Sequence, residues 1–317
     1  MCFSLFLCIF ASDMGRVVVT GANGQLGTCI REVIEKQMVL GESNYFFCTK
    51  EELDITNPKS IEETLKKYSP SVVVNCAAYT NVDKAEDEPS SASKLNVSGV
   101  KNLGDYCEKN NIFLIHISTD YVYSGNESTP YKNEAKAKPL NVYGKTKSAG
   151  ESLLKSTSLM IIRTSWLYSE FGKNFMKTII NKLRQERYFT VVSDQIGTPT
   201  YAMDLAKFIV TIIEEGRYHT NAMRECKVVN YSNEGCASWY DFAKAIEDIA
   251  TPLMFGTKTN NIIPCRSEDL NQKAKRPKYT VMDKTDTYKL FKVPIPYWRD
   301  SLKKCIYKYM QKNEGRF

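Results

Sequence analysis

Histidine is almost absent from this chain, with His116 and His219 the only two among 317 residues. They stand far apart, no cysteine lies at ligand spacing from either, and the 10 cysteines (2, 8, 29, 48, 76, 107, 226, 236, 265 and 305) form no C-x-x-C pair. A zinc site is therefore not expected. Several cysteines sit within apolar, strand-like runs and read as reduced, buried thiols of a cytoplasmic protein. Long runs of one charge are also missing. The 43 Lys and Arg are dispersed among 36 Asp and Glu for a net +7, and basic clusters reach only pairs such as Lys66-Lys67 and Lys303-Lys304. That is too diffuse for a nucleic-acid tract, and it suits either a solvated surface or an anionic small substrate.

There is no low-complexity tract and no internal repeat. With 43% hydrophobic and 25% charged residues, the composition excludes a disordered or fibrous chain. Nor is there an apolar run long enough to span a bilayer. The opening MCFSLFLCIFA is too short, and it lacks the charged lead of a signal peptide. Because MGRVVVTG from Met14 reads as a domain start, residues 1–13 are expected to be an extension outside the fold, with no membrane partner.

What is present is alternation. RVVVT, NYFFCT, SVVVNCAA, IFLIHIS and LMIIRTS are apolar throughout, and amphipathic stretches separate them: Gln25 to about Lys36, about Lys59 to Tyr68, about Ser90 to Asn110, and the segment around Tyr143. Strands of this kind, separated by helices, predict an α/β fold, a doubly wound parallel sheet of the Rossmann type. After Arg163 the alternation loosens into longer loops, as expected of a smaller C-terminal substrate-binding lobe.

The first strand runs into TGANGQLG, with Gly21, Gly24 and Gly27 ahead of a helix and Asn23, Gln25 and Leu26 between them. Such a turn lets the backbone approach a pyrophosphate at a helix N-terminus, which predicts a dinucleotide site. The expected division is a nucleotide-binding domain over 14–163 and a mainly substrate-binding lobe over 164–317, with about 188–216 returning to the sheet. At the end of the second strand, FFCTKEELDIT puts Thr49 and Lys50 where an acidic residue would hold a ribose 2′-hydroxyl. That favours NADPH and leaves NADH open.

Tyr143 and Lys147, in NVYGKTKSAG, are four residues apart and so share one helical face. A phenol titrates near 10, and an adjacent cation lowers that value towards useful acidity. The strand IFLIHIS ends in STDYVYSG, which places Ser118 and Thr119 at the carboxyl edge of the sheet, where ligands of such folds bind. Alone, Thr119 also reads as a cap or turn residue.

Taken with LDITNP, NCAAYTNVDKAE, RTSWLY, GKNFMKT, DQIGTPTY and RPKYTVMD, these blocks resemble the extended short-chain dehydrogenase/reductase family from Arg16 to the last helix. Within it they resemble the branch that passes hydride from NADPH to the C4 carbonyl of dTDP-4-dehydro-L-rhamnose. The resemblance implies that Tyr143 is the general acid, that Lys147 holds the nicotinamide ribose and lowers the tyrosine pKa, and that Thr119 orients the carbonyl. It implies cofactor contacts at Gly21, Gln25, Leu26, Asp54, Ala77, Ala78 and Tyr79, with Asn96 supporting the lysine, and beside them the glycine loop offers Asn23, Gly24 and Gly27 and the segment after the second strand Thr49, Lys50 and Ile55. Implied substrate contacts are Thr119, Asp120, Tyr121, Trp166, Asn174, Gln195 and Arg276. Trp166 also reads as a core aromatic, and Arg276 as half of a salt bridge.

A dehydratase of the same scaffold would place a second carboxylate after Asp120, where Tyr121 stands. A non-catalytic NADP-binding subunit, like the regulatory subunit of methionine adenosyltransferase, would retain the Tyr-Lys pair but not the RTSWLY and DQIGTPT blocks. The resemblance leaves a homodimer and a structural Mg2+ open.

Overall fold

The computed structural model describes residues 15–37, 44–219, 227–254 and 261–313. The expected extension, residues 1–13, lies outside the described residues. The first half runs β1 (Val17–Thr20), α1 (Gln25–Gln37), β2 (Tyr45–Cys48), α2 (Pro58–Tyr68), β3 (Val72–Asn75), α3 (Val82–Asp87), α4 (Pro89–Ser93), a π-helical turn (Lys94–Gly99), α5 (Val100–Lys109), β4 (Phe113–Thr119), α6 (Val142–Leu153) and β5 (Leu159–Thr164). The second half adds β6 (Leu167–Tyr168), α7 (Phe175–Gln185), β7 (Tyr188–Val192), β8 (Ile196–Gly197), β9 (Thr200–Tyr201), α8 (Ala202–Glu214), β10 (Val228–Asn230), β11 (Ala237–Ser238), α9 (Trp239–Met254), β12 (Asn261–Cys265), α10 (Thr285–Phe291) and α11 (Trp298–Lys312).

Six strands form one parallel sheet in the order β2-β1-β3-β4-β5-β10. The period of two along each strand divides its side chains between two cores. Val17, Val19, Val72, Val74 and Ile115 face one way, into the layer of α1, α7, α8, α9 and α11. Val18, Val73, Leu114 and Ile161 face the other, onto Ile61, Leu65, Leu103 and Cys107 of α2 and α5. Five of the six strands then end on a polar residue, Thr20, Asn75, Thr119, Thr164 and Asn230, and β2 ends on Cys48. The carboxyl edge of an otherwise apolar sheet is thereby a row of hydrogen-bonding groups. The order in which successive strands are added reverses between β1 and β3, the topological switch point where such sheets bind ligands.

Of the segment 188–216 expected to return to the sheet, α8 packs against α1. Strand β7 does not join the sheet. It pairs in parallel with β12, and the sixth strand of the sheet is β10. The reason is local: β7 alternates exposed and buried residues at Tyr188, Phe189 and Thr190, a pattern suited to a small half-covered ribbon rather than to a sheet covered on both faces. No helix among the described residues is long and apolar enough to cross a membrane.

One buried ion pair fixes α6 to the sheet. Arg163, near the end of β5, donates from Nη2 to Glu151 Oε2 at 2.7 Å and from Nε to Glu151 Oε1 at 3.2 Å, while its Nη1 donates to the Tyr123 hydroxyl and the Asn133 carbonyl, each at 3.1 Å. Both side chains are almost wholly buried. Such a pair contributes little over apolar residues of equal volume, but removing one partner strands a charge. Glu151→Ala should therefore lower unfolding stability by about 3–5 kcal/mol in denaturant titration, and the double change Glu151→Leu, Arg163→Met should recover most of that loss.

Candidate active site

The glycine loop lies at the switch point. Gly21 has φ of 62°, and a Cβ there would stand 2.8 Å from the Ala77 nitrogen and 2.9 Å from the Cys76 carbonyl carbon. At Gly27 a Cβ would meet the Gly21 carbonyl oxygen at 2.7 Å. The loop thus folds onto both the β3 end and its own helix, possible only without side chains. Asn23 and Gly24 are exposed at the tip, and Leu26 is buried in the core as the anchor of α1. This loop of exposed backbone at a helix N-terminus fits a dinucleotide pyrophosphate.

Beyond β2, the Thr49 N–H donates to Glu52 at 2.7 Å, and Lys50 is exposed. Asp54 accepts from the Thr56 N–H at 2.9 Å and hydroxyl at 2.8 Å, shaping its own turn, while Ile55 is buried. After β3, Ala77, Ala78 and Tyr79 form a loop held by Asn96. The Asn96 side chain accepts from the Tyr79 N–H at 2.9 Å, and donates to the Tyr79 carbonyl at 3.0 Å and to the Thr146 hydroxyl at 3.1 Å. Asn96 stands on the π-helical turn, whose extra residue per turn redirects a side chain and recurs at functional sites. Gly150 permits this approach, since a Cβ there would collide with the Asn96 carbonyl. Asn96 therefore ties the 77–79 loop to the residue before Lys147.

Lys147 is 1% exposed, with Nζ donating to the Ile117 carbonyl at 2.7 Å and standing 3.3 Å from His116 Nε2. Burial brings its ammonium down to about 8. Tyr143 has its hydroxyl within hydrogen-bonding range of the Thr119 side chain, and its ring meets Tyr121 edge-on at 5.8 Å. Burial pushes the Tyr143 phenol up to about 12, Thr119 pulling against it and Asp120 with it. The lowering expected from Lys147 is thus not what governs Tyr143 here, because desolvation prevails and the ammonium is turned towards β4. Thr119 donates to Asp120 Oδ1 at 3.1 Å and accepts from the Tyr121 N–H at 3.2 Å. Burial moves the Asp120 carboxyl up to about 7.

The remaining expected substrate residues are spread more widely. Trp166 has a left-handed backbone, φ 45°, and stacks on Trp239 at 3.6 Å with planes 7° apart. A half-buried tryptophan in that conformation is strained and held by its surroundings. Asn174 caps α7, and its amide donates to Gln25 Oε1 at 2.8 Å and to the Ser169 carbonyl at 2.7 Å, so these two expected site residues meet each other. Gln195 is buried, donating to Ser267 at 2.9 Å. Arg276 grips Asp83 with two nitrogens, at 3.1 and 2.7 Å, the salt-bridge alternative read from its sequence.

Sequence reasoning missed a buried polar chain. Thr20 donates to Asn75 Oδ1 at 2.6 Å, Asn75 Nδ2 meets His116 Nδ1 at 3.0 Å, and His116 reaches Lys147. The available signal was the matched endings VVVT and VVVN, and a histidine within an apolar strand. Gly21→Ala should weaken NADPH binding roughly 10- to 100-fold in a fluorescence titration, since strain and the clash with Ala77 both oppose the loop.

Residues 15–311 match the RmlD substrate binding domain. The chain is 36% identical over 292 residues to a dTDP-4-dehydrorhamnose reductase of Aggregatibacter actinomycetemcomitans, covering 92% of this chain and 98% of that one. It is 33% identical over 290 residues to a dTDP-4-keto-6-deoxy-D-glucose reductase of Streptomyces niveus, covering 90% and 95%. Among solved structures, dTDP-4-dehydrorhamnose reductase of Bacillus anthracis in complex with NADP superposes with a TM-score of 0.82 at 34% identity, covering 93% of this chain and 99% of that one. With a match that spans nearly its whole length and a shared fold, this chain belongs to the RmlD substrate binding domain family.

Proposed function

We propose that this protein reduces the C4 keto group of dTDP-4-dehydro-L-rhamnose to dTDP-L-rhamnose with NADPH, in the cytoplasm. The observation that carries the reading is the juxtaposition of the Tyr143 and Thr119 hydroxyls at the carboxyl edge of the sheet, with buried Lys147 one helical turn further on. Relatives named as reductases of dTDP-linked 4-keto sugars supply the substrate class. The Bacillus anthracis relative, solved with NADP, supports the cofactor.

The dinucleotide would be held by the Gly21–Gly27 loop, by the 77–79 loop that Asn96 pins, and by Lys147 at the ribose. When bound, NADPH supplies the hydride. Tyr143 then delivers a proton to the oxygen at C4, and a phenol pushed up by burial keeps that proton at neutral pH. Thr119 orients the carbonyl. Asp120 holds Thr119, and no second carboxylate follows it, which favours simple reduction over dehydration. Trp166, stacked on Trp239, offers a flat apolar face to the sugar. Mg2+ has no step in this reading; among the described residues no group of three or more His, Cys, Asp or Glu could hold a metal.

Tyr143→Phe should cut turnover roughly 10²- to 10⁴-fold with NADPH affinity nearly unchanged, because only the transition state loses its proton donor. Parent-level turnover in that variant would remove Tyr143 from the mechanism. Lys50→Ala should weaken NADPH relative to NADH by roughly two- to five-fold, as suits an exposed charge. An unchanged ratio of the two dissociation constants would leave Lys50 without a part in cofactor choice.

A further inference from the structure

The polar chain under the sheet edge has a directionality that can be read atom by atom. Asn75 Oδ1 accepts from the Thr20 hydroxyl at 2.6 Å and from the Ala77 N–H at 3.2 Å. An amide turned the other way would set its NH2 against the Ala77 N–H, so the orientation is fixed by the backbone. Asn75 Nδ2 is therefore the donor towards His116 Nδ1 at 3.0 Å, which makes Nδ1 an acceptor. His116 is fully buried, and burial together with the charge of Lys147 holds it well below its ordinary value, hence neutral. A neutral ring that accepts at Nδ1 carries its proton on Nε2.

That N–H points at Lys147 Nζ, 3.3 Å away. An amine there can accept it through its lone pair while donating to the Ile117 carbonyl. An ammonium has no lone pair, and N–H would face N–H. We propose that His116, set by Asn75 in the Nε2–H tautomer, is a positioning residue for Lys147 that opposes its ammonium form and so ties the charging of the lysine to cofactor binding.

None of the other groups around Lys147 opposes its ammonium form in this way. From the end of β3 comes the Cys76 thiol, which burial pushes up to about 12 and so leaves uncharged. From α6 itself come Glu151, paired with Arg163 and favouring the ammonium through its charge, and Tyr143, whose phenol is neutral below about 12. Asp120, beyond the end of β4, acts on Tyr143 and Tyr121 instead. A ribose hydroxyl that accepts from Nζ would offset the opposing N–H, and binding would draw a proton from solvent.

The proposal rests on the reading of Lys147 as the cation at the cofactor ribose, but its first test involves neither sugar nor turnover. With only two histidines, the full-length chain labelled with 15N-histidine gives two imidazoles, and His219→Gln assigns them. His116 is expected to remain in the Nε2–H tautomer without titrating from about pH 6 to 9. An Nδ1–H tautomer, or a ring that titrates in that window, would overturn the proposal. The second test follows NADP affinity against pH. Asn75→Asp accepts everything Asn75 Oδ1 accepts but forces the proton onto Nδ1, and His116→Gln can turn its amide oxygen to Nζ without adding charge. Both should move the alkaline midpoint of binding upward by about one pH unit. Weaker binding at every pH with the midpoint unmoved would make His116 a packing residue and nothing more. Should the variants fail to fold, the tautomer of the parent decides the matter.

Discussion

A lysine buried to 1% exposure without a carboxylate in contact is the constraint around which this site is arranged. A charge in such a place is costly unless hydrogen bonds replace its water. Lys147 meets a backbone carbonyl and an imidazole on one side, leaving its remaining valences for whatever binds at the sheet edge. Everything that positions α6 therefore serves the lysine. Arg163 and Glu151 bolt the helix to β5, Asn96 and Thr146 join it to the 77–79 loop, and Gly150 lets the two helices close to backbone contact.

The same logic accounts for the opposite side of the site. Strands β1 and β3 are apolar to their last residue, then end in Thr20 and Asn75, whose side chains bond to one another and to the Ala77 N–H. The loop that follows β3 is thereby rooted in the same side chains that reach His116. Thr20, Asn75, His116 and Lys147 thus share one continuous polar layer beneath the sheet edge.

Much of this was legible in the sequence, for a physical reason. Periodicity and glycine placement are local, so the strands, the main helices, the G-x-x-G-x-x-G loop and the Tyr143-Lys147 face could be read from neighbouring residues. What escaped was long-range. The pairing of β7 with β12, the identity of Asp83 as the salt-bridge partner of Arg276 and the meeting of Asn174 with Gln25 join residues far apart in the chain, and nothing local announces them. The π-helical turn escaped for a different reason, since an extra residue within a long amphipathic helix leaves the apolar pattern nearly intact. Burial acts on Tyr143 in the opposite direction to the expected cation, because helical spacing shows which side chains share a face but not how deeply that face is buried.

The central claim is that this chain carries out hydride transfer to a sugar carbonyl rather than only binding a nucleotide. The direct measurement is incubation of the parent protein with NADPH deuterated at the nicotinamide C4, across a small panel of thymidine and uridine 4-keto sugars, followed by mass spectrometry and NMR of the product. The account predicts one NADPH consumed per dTDP-4-dehydro-L-rhamnose, with deuterium appearing at C4 of dTDP-L-rhamnose. Tight NADPH binding without deuterium transfer to any member of the panel would contradict it.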